Sequence, residues 1–148
     1  MPRAMELKKI LVPLRDNSSA NIEAVKMACG LAKENGAEVH LVYVIEVERS
    51  RSLDEPLDSD MDKAEDVLKN GENIASSMGC EVIKDFLQAR ELGPAIVDES
   101  KEGVDLIVMG VEYEKRLGIF DPGKAVHIVF RESPCSVLLL RSPIKENV

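Results

Sequence analysis

Four short apolar runs punctuate this chain without alternating: Lys9–Leu14 (KILVPL), Glu38–Val47 (EVHLVYVIEV), Asp105–Met109 (DLIVM) and Ser136–Leu140 (SVLLL). A strand with one face in water alternates apolar and polar residues. A continuous apolar strand is covered on both faces, as in parallel sheets sandwiched between helices. Pro13 cannot donate to a ladder and is read as marking the end of the first strand. A more polar run, Glu81–Gln88, is a further strand candidate and belongs nearer a sheet edge.

The segments between these runs have helical spacing. Ile22, Val25, Met27, Ala28, Leu31 and Ala32 recur after the cap candidates Asp16-Asn17-Ser18-Ser19, and Asn35-Gly36 closes that helix. Residues 48–59 read as a polar loop. Met61, Ala64, Val67, Leu68, Ile74, Ala75 and Met78 mark a second helix over Asp60–Met78, with Gly71 inside it. A third helix starts near Pro94 and runs to Gly103, and a fourth spans about Gly123–Arg131. The order β-α-β-α-β-α-β-α-β predicts an α/β fold: one doubly wound, parallel, five-stranded sheet of order 3-2-1-4-5, flavodoxin-like. That order reverses its winding between the first and fourth strands. The loops after them, Arg15–Ser19 and Gly110–Gly123, then flank one crevice at the carboxyl end of the sheet.

At 148 residues the chain is long enough for one domain, read as 7–141 with tails at 1–6 and 142–148. A net charge of −8 argues against nucleic acid as a partner, and the basic residues look scattered, Lys115-Arg116 being the densest pair beyond the first nine residues. No apolar run approaches the ~18 residues of a membrane span, and MPRAMELKK has no apolar signal region. The expectation is a cytoplasmic protein without membrane insertion. Cys29, Cys80 and Cys135 are odd in number, far apart and without metal-ligand spacing, so they read as buried structural thiols. His40 and His127 have no serine or cysteine partner suggested by sequence. The acidic run Asp54, Glu55, Asp58, Asp60, Asp62, Glu65 and Asp66 lacks the spacing of a calcium loop and reads as a solvated helix start.

Gly110, Tyr113, then nine residues, then Gly123-Lys124, form the strongest motif. Gly110 would let the chain turn off its strand, and Gly123 would let backbone approach a ligand. The N–H groups of Lys124 and Ala125 would meet an anion at a helix start, with the Lys124 ammonium adding charge. The alternative is that both glycines only shape a long loop. It is not a Walker A loop, since Ala125 stands where that motif needs Ser or Thr. Val137, Leu138, Leu139 and Leu140 would be an exposed apolar edge strand, covered by a second copy in a homodimer or by the C-terminal tail.

The runs ILVPL, VHLVYVIEV, DLIVMG and SPCSVLLLR, in this order and spacing over about residues 7–141, resemble the universal stress protein family. The resemblance implies the same 3-2-1-4-5 sheet, a homodimer, and a crevice that binds ATP (with Mg2+) or AMP in one branch and has lost that binding in another. It implies a nucleotide site made of Pro13, Leu14, Arg15 and Asp16 after the first strand, and Val44 on the second. Met109, Gly110 and Tyr113 follow the fourth, and Gly123, Lys124 and Ala125 open the last helix. The nucleotide-binding branch carries G-x2-G-x9-G-[ST] and an aspartate after the first strand. Here Tyr113 stands at the second glycine, Lys124 at the Ser/Thr and Arg15 at the aspartate. Lys124, Arg15 or Lys115-Arg116 meeting phosphates is the form that binding would take. Catalysis is not implied, because no water-positioning group for ATP hydrolysis presents itself. Gln88–Glu99 and Tyr113–Lys124 also resemble stress domains linked to membrane transporters. That resemblance implies a transporter's cytoplasmic face as a partner, the domain then acting as a regulatory module.

Overall fold

The computed structural model describes residues 6–53, 58–112, 115–116, 119–120 and 122–143. The strands are β1 (Lys9–Leu14), β2 (Glu38–Glu46), β3 (Val82–Ala89), β4 (Leu106–Val111), β5 (Lys115–Arg116), β6 (Ile119–Phe120) and β7 (Ser136–Arg141). The helices are α1 (Ser19–Asn35), α2 (Asp58–Ser77), α3 (Leu92–Ser100) and α4 (Lys124–Glu132). Five parallel strands form one sheet in the order β3-β2-β1-β4-β7, as the alternation predicts, with β3 and β7 at its edges. The stretch 110–122, read above as loop, contains one difference: β5 and β6 pair as a small antiparallel ribbon, Lys115 opposite Phe120 and Arg116 opposite Ile119.

Each strand of the interior feeds two cores. Ile10, Val12, Leu14, Leu41 and Tyr43 pack beneath α1 and α2, while Leu11, Val42, Val44, Ile107 and Met109 pack beneath α3 and α4. This explains the missing alternation, since successive residues point to opposite faces and both faces are dry. Among the described residues no helix is long and apolar enough to cross a membrane.

Helix α1 buries Val25, Ala28 and Ala32 of the predicted face, with Ile22 and Leu31 half-buried, and departs from it at Met27, which is 40% exposed. Ala20, Asn21, Ala24 and Cys29 complete the buried face. The small side chains at 20, 24, 28 and 32 form an i, i+4 ridge that lets the helix lie close to the strands. α2 follows its expected face, and Gly71 has a packing reason: a Cβ there would sit 3.0 Å from the methyls of both Leu14 and Leu41.

Candidate functional site

Strands β1 and β4 are neighbours only at their amino ends. Their pairing covers Ile10 with Leu106 and Leu11 with Ile107, whereas β1 pairs with β2 as far as Leu14 opposite Tyr43, and β4 with β7 as far as Val111 opposite Arg141. Pro13 supplies the reason. The Lys8 carbonyl accepts from Glu38 of β2, and the Lys9 carbonyl from Asp105 on the β4 side. Backbone groups alternate sides along a parallel strand, so Lys9, Leu11 and Pro13 all face β4. The next rung would need an N–H from Pro13, which has none. Pro13 therefore ends the β1–β4 ladder rather than the strand, and the two strands part where the element order predicts the crevice.

The β1–α1 loop is held by a residue that the sequence reading missed. Asn21 is 4% exposed. Its Oδ1 accepts from the Arg15 N–H (3.2 Å), and its Nδ2 donates to Asp16 Oδ1 (3.2 Å) and Ser18 Oγ (3.0 Å). The Ser18 N–H also donates to Asp16 Oδ1 (3.0 Å), closing an Asx turn. The signal was available: Asn21 is a polar residue in phase with Ala24, Val25 and Ala28. Asp16, which a one-residue shift would put in the place of the family's aspartate, spends Oδ1 on this loop.

Gly110 is present for a reason that differs from the one expected. It lies within β4 and does not turn the chain off the strand. An added Cβ would fall 2.2 Å from the Ala20 carbonyl oxygen and 2.8 Å from the Asn21 nitrogen, so Gly110 is where α1 rests on the sheet. Leu14 lies on the α1/α2 face, and Val44 and Met109 on the α3/α4 face, all buried in the cores beneath the crevice. Tyr113 falls outside the described residues.

The remaining predicted site residues are at the start of α4. Gly123 is its N-cap, with φ 97° and no side-chain capping bond, and Gly123 and Ala125 are half-buried. The first turn of any helix leaves N–H groups without intrahelical acceptors. Lys124 is 81% exposed, with its ammonium 4.0 Å from Glu91 at the start of α3. Arg15 is exposed just after β1, near Tyr43: burial pushes the Tyr43 hydroxyl pKa up, the Asp60 and Asp16 carboxylates add to this, and Arg15 opposes it. Gly118, Gly123 and Lys124 do share the glycine-lysine spacing of a phosphate loop. Between them, however, β6 pairs with β5, so the chain does not run directly from strand through cradle to helix as such a loop must.

The topology also gathers arginines that look scattered in sequence. Arg15, Arg49, Arg51, Arg90 and Arg141 all end at or just after the carboxyl ends of strands. They share that rim with Asp16, Glu48 and Glu91, so it is mixed in charge. Arg90 is committed: its guanidinium donates to the carbonyls of Val47, Glu48 and Arg51 and pins the chain after β2. A shallow depression of about 510 Å³ runs along β3 and α3 between Arg49, Gln88, Arg90, Glu91, Asp98 and Glu102. With Arg90 occupied and carboxylates in excess, it suits an anion less well than the crevice does. Among the described residues no group of three or more His, Cys, Asp or Glu could hold a metal ion. Of the acidic run, Asp66 accepts from Asn17 Nδ2 (3.2 Å), and Asp54 and Glu55 lie outside the described residues. His40 pairs with Glu38 at 3.1 Å.

Residues 6–141 match the universal stress protein family. A universal stress protein of Methanocaldococcus jannaschii is 31% identical over 145 residues, 94% of this chain and 85% of that one. The universal stress protein of Archaeoglobus fulgidus, solved in complex with dAMP, superposes with a TM-score of 0.73 at 21% identity, covering 92% of this chain and 99% of that chain. An Arabidopsis thaliana family member with AMP bound gives 0.64 at 14% identity, covering 92% of each chain.

Proposed function

Because this chain belongs to the universal stress protein family, we propose that it is a stress-response protein whose one domain, residues 7–141, binds an adenine nucleotide in the β1/β4 crevice. The observation that carries this reading is the parting of β1 from β4 after Leu11 and Ile107, toward the carboxyl end of the sheet from which the chain leads on to α4. Phosphates lie against the N–H groups of Lys124 and Ala125, with the Lys124 and Arg15 side chains neutralising charge. Relatives of the same fold that hold dAMP and AMP support the ligand class. The replaced aspartate and hydroxyl positions make the phosphate grip one of side-chain cations.

Nucleotide released from freshly denatured protein, and micromolar binding of ATP or AMP to the stripped protein by calorimetry, are the expected results. Gly123→Asp is expected to abolish binding, since it sets a carboxylate against the phosphates. It also strains a φ of 97°, so Lys124→Ala is the cleaner companion. Losing a charge-assisted hydrogen bond of roughly 1.5–3 kcal/mol weakens binding at least tenfold. Unchanged affinity in both variants, with native circular dichroism, rejects the site.

A second reading, a homodimeric interaction module, is favoured by β7. Among the described residues it pairs only with β4, its Val137, Leu138, Leu139 and Leu140 are half-buried, and Phe130 of α4 is 62% exposed. An open apolar edge is a template for a second copy. Leu139→Lys is expected to give a monomer by sedimentation while the far-ultraviolet spectrum stays native; a persistent dimer refutes pairing through β7.

A further inference from the structure

Helices α3 and α4 pack against each other, and their starts carry opposite charges. Glu91 is the N-cap residue of α3, and Lys124 is the first residue of α4. The Lys124 Nζ lies 4.0 Å from Glu91 Oε1. Backbone packing fixes this juxtaposition. Gly93, buried in the first turn of α3, meets α4 so closely that an added Cβ would fall 3.0 Å from the Ile128 Cβ. Beyond that contact, Ile96 and Val97 of α3 share one core with Val126 and Val129 of α4. On the other side of Glu91, the Arg90 guanidinium is anchored on the carbonyls of Val47, Glu48 and Arg51. Glu91 is therefore held between two anchored neighbours, facing the start of α4.

The Glu91 side chain does not serve its own helix. It makes no side-chain capping bond, and glutamate is not among the residues favoured at an N-cap. Nor does the pair matter much to the fold, since its side chains are 49% and 81% exposed and such pairs contribute little to stability. Its weight falls on an incoming anion. A carboxylate 4.0 Å from Lys124 lies well inside the screening distance of about 10 Å at ordinary ionic strength.

Resting on the nucleotide reading above, we infer that Glu91 is a specificity-determining residue of the phosphate site. In the empty protein its carboxylate is the counter-ion of Lys124. A phosphate that meets Lys124 displaces that counter-ion and then has a carboxylate for a neighbour. The displacement costs the same for every nucleotide. The repulsion grows with each further phosphate, because it scales with the charge on the ligand. Glu91 thus biases the site toward nucleoside monophosphates and against triphosphates.

The test titrates the full chain, stripped of nucleotide, with AMP and with ATP by calorimetry, without magnesium and at low salt. Glu91→Gln keeps the shape and removes the charge. It is expected to tighten AMP about twofold and ATP about fivefold, within the range of an exposed charge pair, and the difference closes at high salt. Glu102→Gln removes the same charge just past the far end of α3 and is expected to change neither affinity. Lys124→Ala is expected to cost more affinity in the Glu91→Gln background than in the native chain, because Glu91 no longer competes for the ammonium. Three results overturn the inference and leave the nucleotide reading standing: equal gains for AMP and ATP, equal gains from Glu91→Gln and Glu102→Gln, or no gain over a native chain that binds. No binding by either the native chain or Glu91→Gln rejects the nucleotide reading, and this inference with it.

Discussion

Gly110→Ala is expected to destabilise the fold by about 3 kcal/mol, at the upper end of overpacking costs, because the new methyl has nowhere to go. It would lie 2.2 Å from the Ala20 carbonyl oxygen, 2.4 Å from the Ala20 carbonyl carbon and 2.8 Å from the Asn21 nitrogen. All three are backbone atoms in the first turn of α1, so no rotamer change relieves the contact. The helix must lift from the sheet, and its alanine ridge must part from β1 and β4. A urea midpoint lowered by roughly 1–2 M is the expected readout. Gly30→Ala is the matched control in the same helix: nothing lies within 4 Å of its added methyl. That substitution is expected to stabilise by about 0.5–1 kcal/mol through helix propensity. Equal effects from the two would mean that close approach of α1 does not matter.

This contrast also marks what was legible in the sequence. The parallel sheet could be read because its interior strands are apolar on both faces, a pattern few other placements satisfy, and the winding reversal follows from the element order. Gly110 was visible as a residue, but its reason was not, since a strand glycine facing a helix and a loop glycine leaving a strand look identical in one dimension. Pro13 was similarly half-read. Sequence shows a missing donor, but which neighbour loses the rung depends on which side the residue faces. The face of α1 was read in part: Val25, Ala28 and Ala32 are buried as expected, but Met27 is exposed and the small residues Ala20 and Ala24, which a tight helix–sheet contact selects, carry no periodic apolar bulk. The ribbon of β5 and β6 has two residues per strand, too few for any periodicity. Asn21 could have been found by asking why an amide occupies an apolar phase.

Asn21→Ala is expected to loosen the β1–α1 loop at a cost of about 2–3 kcal/mol, combining lost hydrogen bonds with an Arg15 N–H left without its acceptor. Three bonds centre on this side chain, which is 4% exposed, so water does not readily replace it. If the crevice holds nucleotide, affinity falls as well, because Arg15 and Asp16 lose the amide that sets their backbone and side chain. Asn21→Asp separates the amide's roles. It keeps an acceptor for the Arg15 N–H but sets a second carboxylate against Asp16 Oδ1. Like charges at that distance raise the folded-state pKa of the pair above its unfolded value. A carboxyl pair raised in this way binds protons more tightly when folded, so stability is lost as pH rises through the folded pKa and recovered as pH falls below it. The deficit of Asn21→Asp against the native chain should therefore shrink from pH 7 to pH 5 in urea titrations, while that of Asn21→Ala stays level. A native-like midpoint for Asn21→Ala, or pH-independent deficits for both, would show that the loop is held by the Asx turn of Asp16 and Ser18 without the buried amide.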